Sequence, residues 1–263
     1  MHKGLSSRLL SPRIFGNLPI KNFSVGLGGR YFFDDFLNFS QHITDQDTQQ
    51  YSSYIDTGVT LKQSAADASG AVVVAGNDAD NDEGSMTTGG NLGGLVAIDA
   101  PGSGRIAFEC RIKKASVADN ACAFFIGLGE EGLAAGNTLV DNTGEIADKD
   151  MVGFRVKHDG GEEIDFAWNK ASGSIQEHAN IHTMVADTYV KLGFLYDPIN
   201  HSNDKQIKLF VDGVEEAVYV TQTQLEAATF PDDEELALLL ATKVGAAAES
   251  TLTLDWWALA VEE

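Results

Sequence analysis

The chain has 263 residues, among them 39 acidic and 18 basic side chains, and its formal net charge is −21. A charge of this sign predicts that neither nucleic acid nor an anionic membrane surface is a partner. No run of about 18 apolar residues occurs in the sequence, so no helical membrane span is predicted. The length is sufficient for one large all-β domain with a sizeable core.

The charge is unevenly distributed along the chain. Positions 1–33 contain five basic residues and no acidic residue, whereas the remainder contains 13 basic and 39 acidic residues, a net charge of −26. Proline and glycine interrupt every candidate helix in this region. We therefore predict that residues 1–30 form an extended basic arm that docks on a neighbouring subunit. The interface residues expected in the arm are Arg8, Leu9, Arg13, Ile14, Phe15 and Lys21.

Two alternatives for the arm remain open at the level of sequence. It can be a flexible tail, because exposed termini normally fray. It can also be a targeting segment, because arginine and serine without acidic residues are typical of a mitochondrial presequence.

Short strands are predicted after the arm. Aromatic side chains favour a first strand over residues 31–39, and two further strands are predicted over 52–61 and 70–75. Residues 77–94 are first acidic and then rich in glycine and threonine, which predicts a long loop.

Two strands near the middle of the chain have different patterns. Residues 121–128 are almost continuously apolar, as expected for a central strand. Residues 105–112 alternate, which predicts four side chains on the buried face: Ile106, Phe108, Cys110 and Ile112. If these two strands pair, Cys110 lies nearly opposite Cys122. Because two cysteines are too few for a disulfide framework, both are predicted to be buried free thiols.

The clearest strand pattern lies between residues 189 and 220. The first run places four side chains on one side: Val190, Leu192, Phe194 and Tyr196. A second run alternates in the same way: Ile207, Leu209 and Val211. Asp212 and Gly213 then form the dipeptide typical of a two-residue hairpin turn, in which both central positions have positive φ. The return strand carries Val214, Ala217, Val218 and Val220.

The rest of the chain continues the pattern of short strands. A long loop is predicted over residues 130–150, a hairpin over 151–157 and 163–168, and a short strand over 175–178. Thr223 and Glu226 have the spacing of a capping box that begins a brief helix. Final strands are predicted over 236–241 and 252–261. The expected core includes Phe108, Phe125, Leu192, Phe194, Leu209 and Val211.

Many short strands with turn signals and almost no helix predict an antiparallel β-sandwich. The segment from Ile207 to Val214, Ile-Lys-Leu-Phe-Val-Asp-Gly-Val, resembles the late hairpin of the concanavalin-A-like and laminin-G-like jelly rolls. The strand at 252–261 resembles their closing strand. This resemblance covers residues 31–263 and implies an all-β, two-sheet antiparallel jelly-roll sandwich. With its N-terminal arm, the chain also resembles the decoration proteins of phage capsids.

Glu163-Ile-Asp-Phe-Ala-Trp168 resembles the catalytic strand of the laminarinase-type glycoside hydrolases. By the match, Glu163 stands where these enzymes have the nucleophile, and Asp165 stands where they have the carboxylate that tunes it. The acid/base position is occupied by Ala167 or Trp168. Loss of the acid/base group reduces the rate by a factor of about 10²–10⁴. We therefore expect no enzymatic activity. An ordinary strand with an acidic outer face and an inactive relative of the hydrolases both fit the residues.

Other candidate sites have weaker patterns. Asp78, Asp80 and Asp82 resemble part of a calcium loop, but Glu83 stands where such a loop requires glycine. A solvated acidic loop is the alternative, and no metal or other cofactor is predicted. Trp256 and Trp257 are adjacent in a predicted strand, so one is expected to face outward. An outward tryptophan is typical of a carbohydrate platform or of an interface anchor.

Three functions follow from these observations. The first is a non-enzymatic virion protein, a phage capsid decoration protein assembled in the host cytoplasm. It would form a homo-oligomer and bind the major capsid protein or other virion subunits through its arm and interface loops. The second is a lectin-like carbohydrate-binding or host-adhesion protein. The third is a laminarinase-type glycoside hydrolase, which is expected to be inactive. The basic arm favours the first, because a lectin or a hydrolase has no evident need of it.

Overall fold

The structure is a computed structural model. It describes residues 10–15, 29–37, 39, 51–64, 70–76, 79–88, 94–198, 204–245 and 250–262. The predictions made for Arg8, Leu9, Lys21 and Asp78 lie outside the described residues. In these ranges no helix is long and apolar enough to cross a membrane.

The described residues form strands and two short helical turns. The strands of the first half are β1 (Gly29–Asp34), β2 (Tyr51–Ile55), β3 (Thr60–Gln63), β4 (Val72–Gly76), β5 (Glu83–Thr88), β6 (Ile106–Lys114) and β7 (Cys122–Gly129). Those of the second half are β8 (Met151–Val156), β9 (Glu163–Asn169), β10 (Gln176–Thr183), β11 (Val190–Asp197), β12 (Gln206–Val211), β13 (Val214–Val220), β14 (Ala237–Val244) and β15 (Ser250–Glu262). The helical turns are α1 (Pro12–Phe15) and α2 (Gln222–Leu225).

The strands are arranged in two antiparallel sheets. Sheet A has the order β13-β12-β11-β6-β15-β4-β3, and β1 pairs with the C-terminal half of β15. Sheet B has the order β10-β9-β8-β7-β14-β5-β2. The predicted all-β, two-sheet antiparallel sandwich is therefore confirmed.

The core lies between the sheets and follows from the period-two pattern of the strands. Phe108 on β6 and Phe194 on β11 are direct partners in sheet A, and their ring centroids lie 5.3 Å apart. Phe154 and Phe166 of sheet B contact Phe194 from the opposite side, at 6.5 and 5.7 Å. The alternating side chains predicted for β6, β11 and β12 all belong to this core. Each sheet thus supplies one half of a single aromatic cluster.

The hairpin between β12 and β13 has the predicted turn. Asp212 and Gly213 have φ values of 49° and 78°, so both central positions are left-handed. The return strand β13 lies at the edge of sheet A, and for this reason Val214 and Val218 remain 58% and 41% exposed. Val220, at the end of the strand, reaches the core.

Several local predictions were wrong. Strand β5 lies inside the segment predicted as a loop and is buried along its whole length, because β14 and β2 pair with its two edges. Phe125 is buried, but it belongs to a second apolar cluster on the outer face of sheet B. The capping box is formed by Thr221 and Gln224 at the start of α2, two residues earlier than predicted.

The two cysteines do not lie on paired strands. Cys110 is on β6 in sheet A and faces Leu192, whereas Cys122 is on β7 in sheet B and faces Val244. The connection between β6 and β7 therefore crosses from one sheet to the other instead of closing a hairpin. Both cysteines are buried, and neither forms a disulfide bond.

Replacing Phe194 with alanine tests the position of the core. The Phe194→Ala variant is expected to lose about 3–5 kcal/mol of unfolding free energy, because a large cavity remains among the aromatic rings. The matched control is Val218→Ala on the exposed edge strand, with an expected loss below about 0.5 kcal/mol. Urea denaturation followed by circular dichroism measures both, and similar losses for the two variants would contradict this description of the core.

Candidate functional site

The strand that resembles the laminarinase motif is β9, and its alternate residues face away from the core. Ile164, Phe166 and Trp168 belong to the core. The period of two therefore places Glu163, Asp165 and Ala167 on the outer face of sheet B.

A buried arginine occupies the centre of this face. Arg155 on β8 is the direct partner of Asp165 in the sheet, and its side chain is only 1% exposed. Its guanidinium group forms ion pairs with Glu145 and Glu177, and its Nε lies 3.4 Å from Asp165 Oδ2. The Nζ atom of Lys157 lies 3.5 Å from Asp165 and 3.6 Å from Glu177. We call these five residues the Arg155 cluster.

The cluster determines the electrostatics of the strand. Burial lowers the pKa of Arg155 from its usual value, and the nearby charges of Glu177 and Asp165 oppose this shift. The backbone N–H of Asn180 also donates a hydrogen bond to Asp165, at 2.8 Å. Asp165 is therefore fully engaged by protein groups. Glu163 is exposed, and its carboxylate accepts a hydrogen bond from Asn180 Nδ2 at 3.3 Å.

The expected acid/base position is filled by a methyl group. Ala167 is fully buried in the outer apolar cluster of sheet B. The predicted loop over residues 130–150 covers this cluster with three side chains: Leu133, Leu139 and Ile146. Buried Lys243 holds the loop in place, because its Nζ donates to the carbonyl of Leu139 at 2.6 Å and pairs with Glu83 at 3.1 Å. This part of the sheet is closed to solvent.

A cavity of about 1030 Å³ lies beside the closed part of the face. It is bounded by residues of the 140–148 loop, the turn after β8 and the turn after β9. Lys157 is the one lysine in its lining. The lining also includes six carboxylate side chains: Asp119, Glu145, Asp148, Asp159, Glu162 and Glu163.

No protein-family model matches the chain, and no curated protein matches it in sequence. Solved structures do match in fold. The carbohydrate recognition domain of Emp47p has 12% identity and a TM-score of 0.53, with 86% of this chain and 92% of that domain covered. The laminarinase catalytic domain from Thermotoga maritima MSB8 has 10% identity and a TM-score of 0.53, with coverages of 88% and 96%. A protein of unknown function from Shewanella oneidensis MR-1 has 15% identity and a TM-score of 0.54, with coverages of 93% and 94%.

The fold is that of the concanavalin-A-like jelly rolls. The predicted resemblance is confirmed at the level of the fold. Because these similarities have low sequence identity, they show the fold and assign no activity.

Part of the N-terminal arm contacts the jelly roll itself. In α1, the side chains of Ile14 and Phe15 are 1% and 3% exposed, whereas the neighbouring Arg13 is exposed. A Cβ atom on Gly193 would lie 2.5 Å from Ile14 Cδ1, so glycine leaves the room that Ile14 occupies. The turn packs on the outer face of sheet A, against Ala107, Phe210, Ala258 and Ala260. In this structure the predicted interface residues Ile14 and Phe15 thus contact their own chain, and docking on a neighbouring subunit stays a prediction.

The arm covers a buried carboxylate that the sequence analysis missed. Glu109 on β6 is fully buried, and its Oε2 accepts a hydrogen bond from the backbone N–H of Ser11 at 2.8 Å. Lys191 Nζ donates to Ser11 Oγ at 3.0 Å. Burial raises the pKa of Glu109, and the hydrogen bonds from Ser11 oppose this shift. The small outward residues around Glu109, such as Ala107, are the sequence signal that another segment covers this face.

The tryptophan prediction was wrong in one respect. Trp256 and Trp257 do face opposite sides, but both are fully buried. Trp257 lies in the core and donates a hydrogen bond to Tyr51 Oη at 3.2 Å. Trp256 lies on the outer face of sheet A beside Phe33, with ring centroids 6.2 Å apart, because β1 pairs along this part of β15. Neither tryptophan forms an exposed platform for a sugar ring.

The calcium candidate gains no support from the described residues. Asp80 is exposed, and the pKa of Asp82 is raised by burial and by the charge of Asp56. Within the described ranges, no group of three His, Cys, Asp or Glu side chains is arranged to hold a metal ion. Asp78 lies outside these ranges, so this candidate remains a sequence-level prediction.

Proposed function

We propose that the chain is a non-enzymatic structural protein of a phage particle, a decoration protein that binds the capsid shell as a homo-oligomer. The observation that carries the non-enzymatic part is the burial of Ala167 under the loop over residues 130–150 on the outer face of sheet B. The resemblance of a jelly roll with an N-terminal arm to capsid decoration proteins supports assignment to a phage particle. Such a protein assembles in the host cytoplasm and then belongs to the virion.

The residues of β9 support a protein without glycoside hydrolase activity. Retaining glycoside hydrolysis requires two carboxyl groups about 5 Å apart, one of which protonates the leaving group. Ala167 cannot supply that proton, and the loop over residues 130–150 covers it. Asp165 is neutralised by Arg155 and Lys157. The outer face of sheet B therefore resembles that of a hydrolase in fold but lacks the acid/base group.

Exposed apolar side chains support contact with other protein subunits. β13 and β10 are edge strands of the two sheets. Four apolar side chains remain exposed on or next to these edges: Val185 (63%), Val214 (58%), Val218 (41%) and Tyr219 (46%). Edge strands with apolar side chains are sites at which another chain readily binds.

The charge of the arm supports the same proposal. Five basic residues and no acidic residue lie in positions 1–33, whereas the remainder has a net charge of −26. A basic segment is steered towards acidic surfaces, which the other copies of this chain provide. In this structure Ile14 and Phe15 are buried on sheet A of their own chain, so the charge of the arm, and not these two side chains, supports contact with another copy.

Carbohydrate binding is the second candidate. The specific observation in its favour is the cavity of about 1030 Å³, whose carboxylate and amide groups can form hydrogen bonds with hydroxyl groups. The carbohydrate recognition domain of Emp47p is similar in fold. The burial of both adjacent tryptophans counts against this candidate, because it removes the expected stacking platform.

The virion proposal predicts that the chain is a component of purified particles. Phage particles are purified from a culture of the encoding cell by banding in a caesium chloride gradient. Mass spectrometry of these particles should detect the chain in many copies. A variant in which Lys3, Arg8, Arg13 and Lys21 are replaced by glutamine keeps Ser11, Ile14 and Phe15 packed on sheet A, so it should fold and yet be depleted from the particles. Presence of the chain in the lysate but not in the particle band would contradict the proposal.

The non-enzymatic proposal predicts no release of reducing sugar from laminarin, other β-glucans, agar or carrageenan. The physical reason is the methyl group of Ala167 at the acid/base position. The matched control is Glu163→Gln, which should release no more and no less reducing sugar than the unmodified chain. Turnover that is abolished by Glu163→Gln would contradict the proposal.

A further inference from the structure

A buried lysine joins the loop over residues 130–150 to sheet B. Lys243 on β14 and Glu83 on β5 are direct partners in the sheet, and their side chains are 2% and 1% exposed. The Nζ atom of Lys243 lies 3.1 Å from Glu83 Oε2 and 2.6 Å from Asp141 Oδ1. One amino group therefore contacts two carboxylates that come from distant parts of the chain.

Backbone groups of the loop hold Glu83 and Lys243 in place. Glu83 accepts hydrogen bonds from the backbone N–H groups of Thr138 and Leu139, at 3.0 and 3.4 Å. Lys243 Nζ also donates to the carbonyl of Leu139 at 2.6 Å. A lysine ammonium group has three N–H donors, and the three acceptors around Lys243 match them. The direction of Nζ towards Asp141 is thus fixed by the contacts on its other sides.

The separation of Lys243 and Asp141 is close to that of a reacting pair. A carboxyl C–O bond is about 1.2 Å long, so the contact of 2.6 Å places Nζ within about 4 Å of the carboxyl carbon. Near-attack separations are about 3–3.5 Å, and groups held in this way have effective molarities of about 10⁵–10⁸ M. Such values offset the preference of free amines and carboxylates in water for the separated ions.

The burial of Lys243 distinguishes it from the other lysines in ion pairs. In the other ion pairs of lysine that the structure describes, the lysine side chain is 27–46% exposed. An amide in place of a buried ion pair removes the cost of keeping two charges away from water. The side chain of Asp141 is 57% exposed, which gives a released water molecule a path to solvent.

We propose that Lys243 and Asp141 form an intramolecular amide bond, with Glu83 as the proton-transfer group. One proton moves from the ammonium group of Lys243 to the carboxylate of Asp141 along their hydrogen bond. The neutral amine then attacks the carboxyl carbon, and a second proton passes through Glu83 to the leaving hydroxyl group. The C–N bond forms, a C–O bond breaks, one water molecule leaves, and Glu83 returns to its carboxylate form.

The bond would attach the loop that covers Ala167 covalently to β14. The reaction needs no oxidant and no second substrate, because both reacting groups belong to the chain. The proposal goes beyond a structural role in the virion and does not depend on it, since it is tested on the purified chain alone.

The mass of the full chain tests the bond. After incubation of the folded chain at neutral pH, intact mass spectrometry should give a mass lower by one water molecule than the sequence requires. Tryptic digestion should give a branched peptide in which Lys243 is uncleaved and is linked to the segment that contains Asp141. The full sequence mass after prolonged incubation would overturn the proposal, and so would a water loss confined to a linear peptide.

Matched variants assign the roles, with circular dichroism to verify that each is folded. Lys243→Arg keeps the positive charge without the amine, and Asp141→Ala removes the carboxyl carbon, so both should have the full sequence mass. Glu83→Gln should slow the water loss by about 10²–10⁴-fold. Lys205→Arg, in the exposed pair with Asp99, should keep the water loss. Water loss in Lys243→Arg or Asp141→Ala, or an unchanged rate in Glu83→Gln, would overturn the assignment.

Discussion

The buried guanidinium group of Arg155 connects the parts of the outer face of sheet B. Its ion pairs join β8 to β9 through Asp165, to β10 through Glu177, and to the loop over residues 130–150 through Glu145. Arg155 is 1% exposed, so its charge has little access to water. A charge in this position is tolerated only when it is paired, which makes the whole face depend on the three carboxylates.

The closure of this face has a consequence for function. The Arg155 cluster engages Asp165, and Lys243 with Glu83 fixes the loop that covers Ala167. The chain thus has the two carboxylates of the motif that resembles a catalytic strand, but in this structure they make other contacts. Asp165 is a structural counter-ion, and Glu163 lies in the lining of an acidic cavity.

The fold could be predicted from sequence wherever one period dominated. The alternation in β6, β11 and β12 and the dipeptide Asp212-Gly213 depend on local chemistry, and the structure agrees with them. Strand β5 could not be recognised, because its small polar residues are buried only by pairing with β14 and β2. The burial of Trp256 depends on β1, which is distant in sequence.

The candidate site was less predictable than the fold. The substitution at the acid/base position was visible in the motif itself. The partners of Arg155 were not, because Glu145 and Glu177 come from a loop and from another strand. The contact of Lys243 with Glu83 and Asp141 was not predictable either, because it joins strand β14 to the unrecognised strand β5 and to the loop.

The unfolding free energy of an Arg155→Met variant tests most directly whether this buried cation holds the face together. Methionine has a similar length but removes the guanidinium group from Asp165, Glu145 and Glu177. Of these carboxylates, Asp165 and Glu177 keep only their longer contacts with Lys157, at 3.5 and 3.6 Å. If the account is correct, the variant loses about 3–5 kcal/mol relative to the unmodified chain in urea denaturation at neutral pH. A loss below about 1 kcal/mol would contradict it, because the face would then be stable without its central charge.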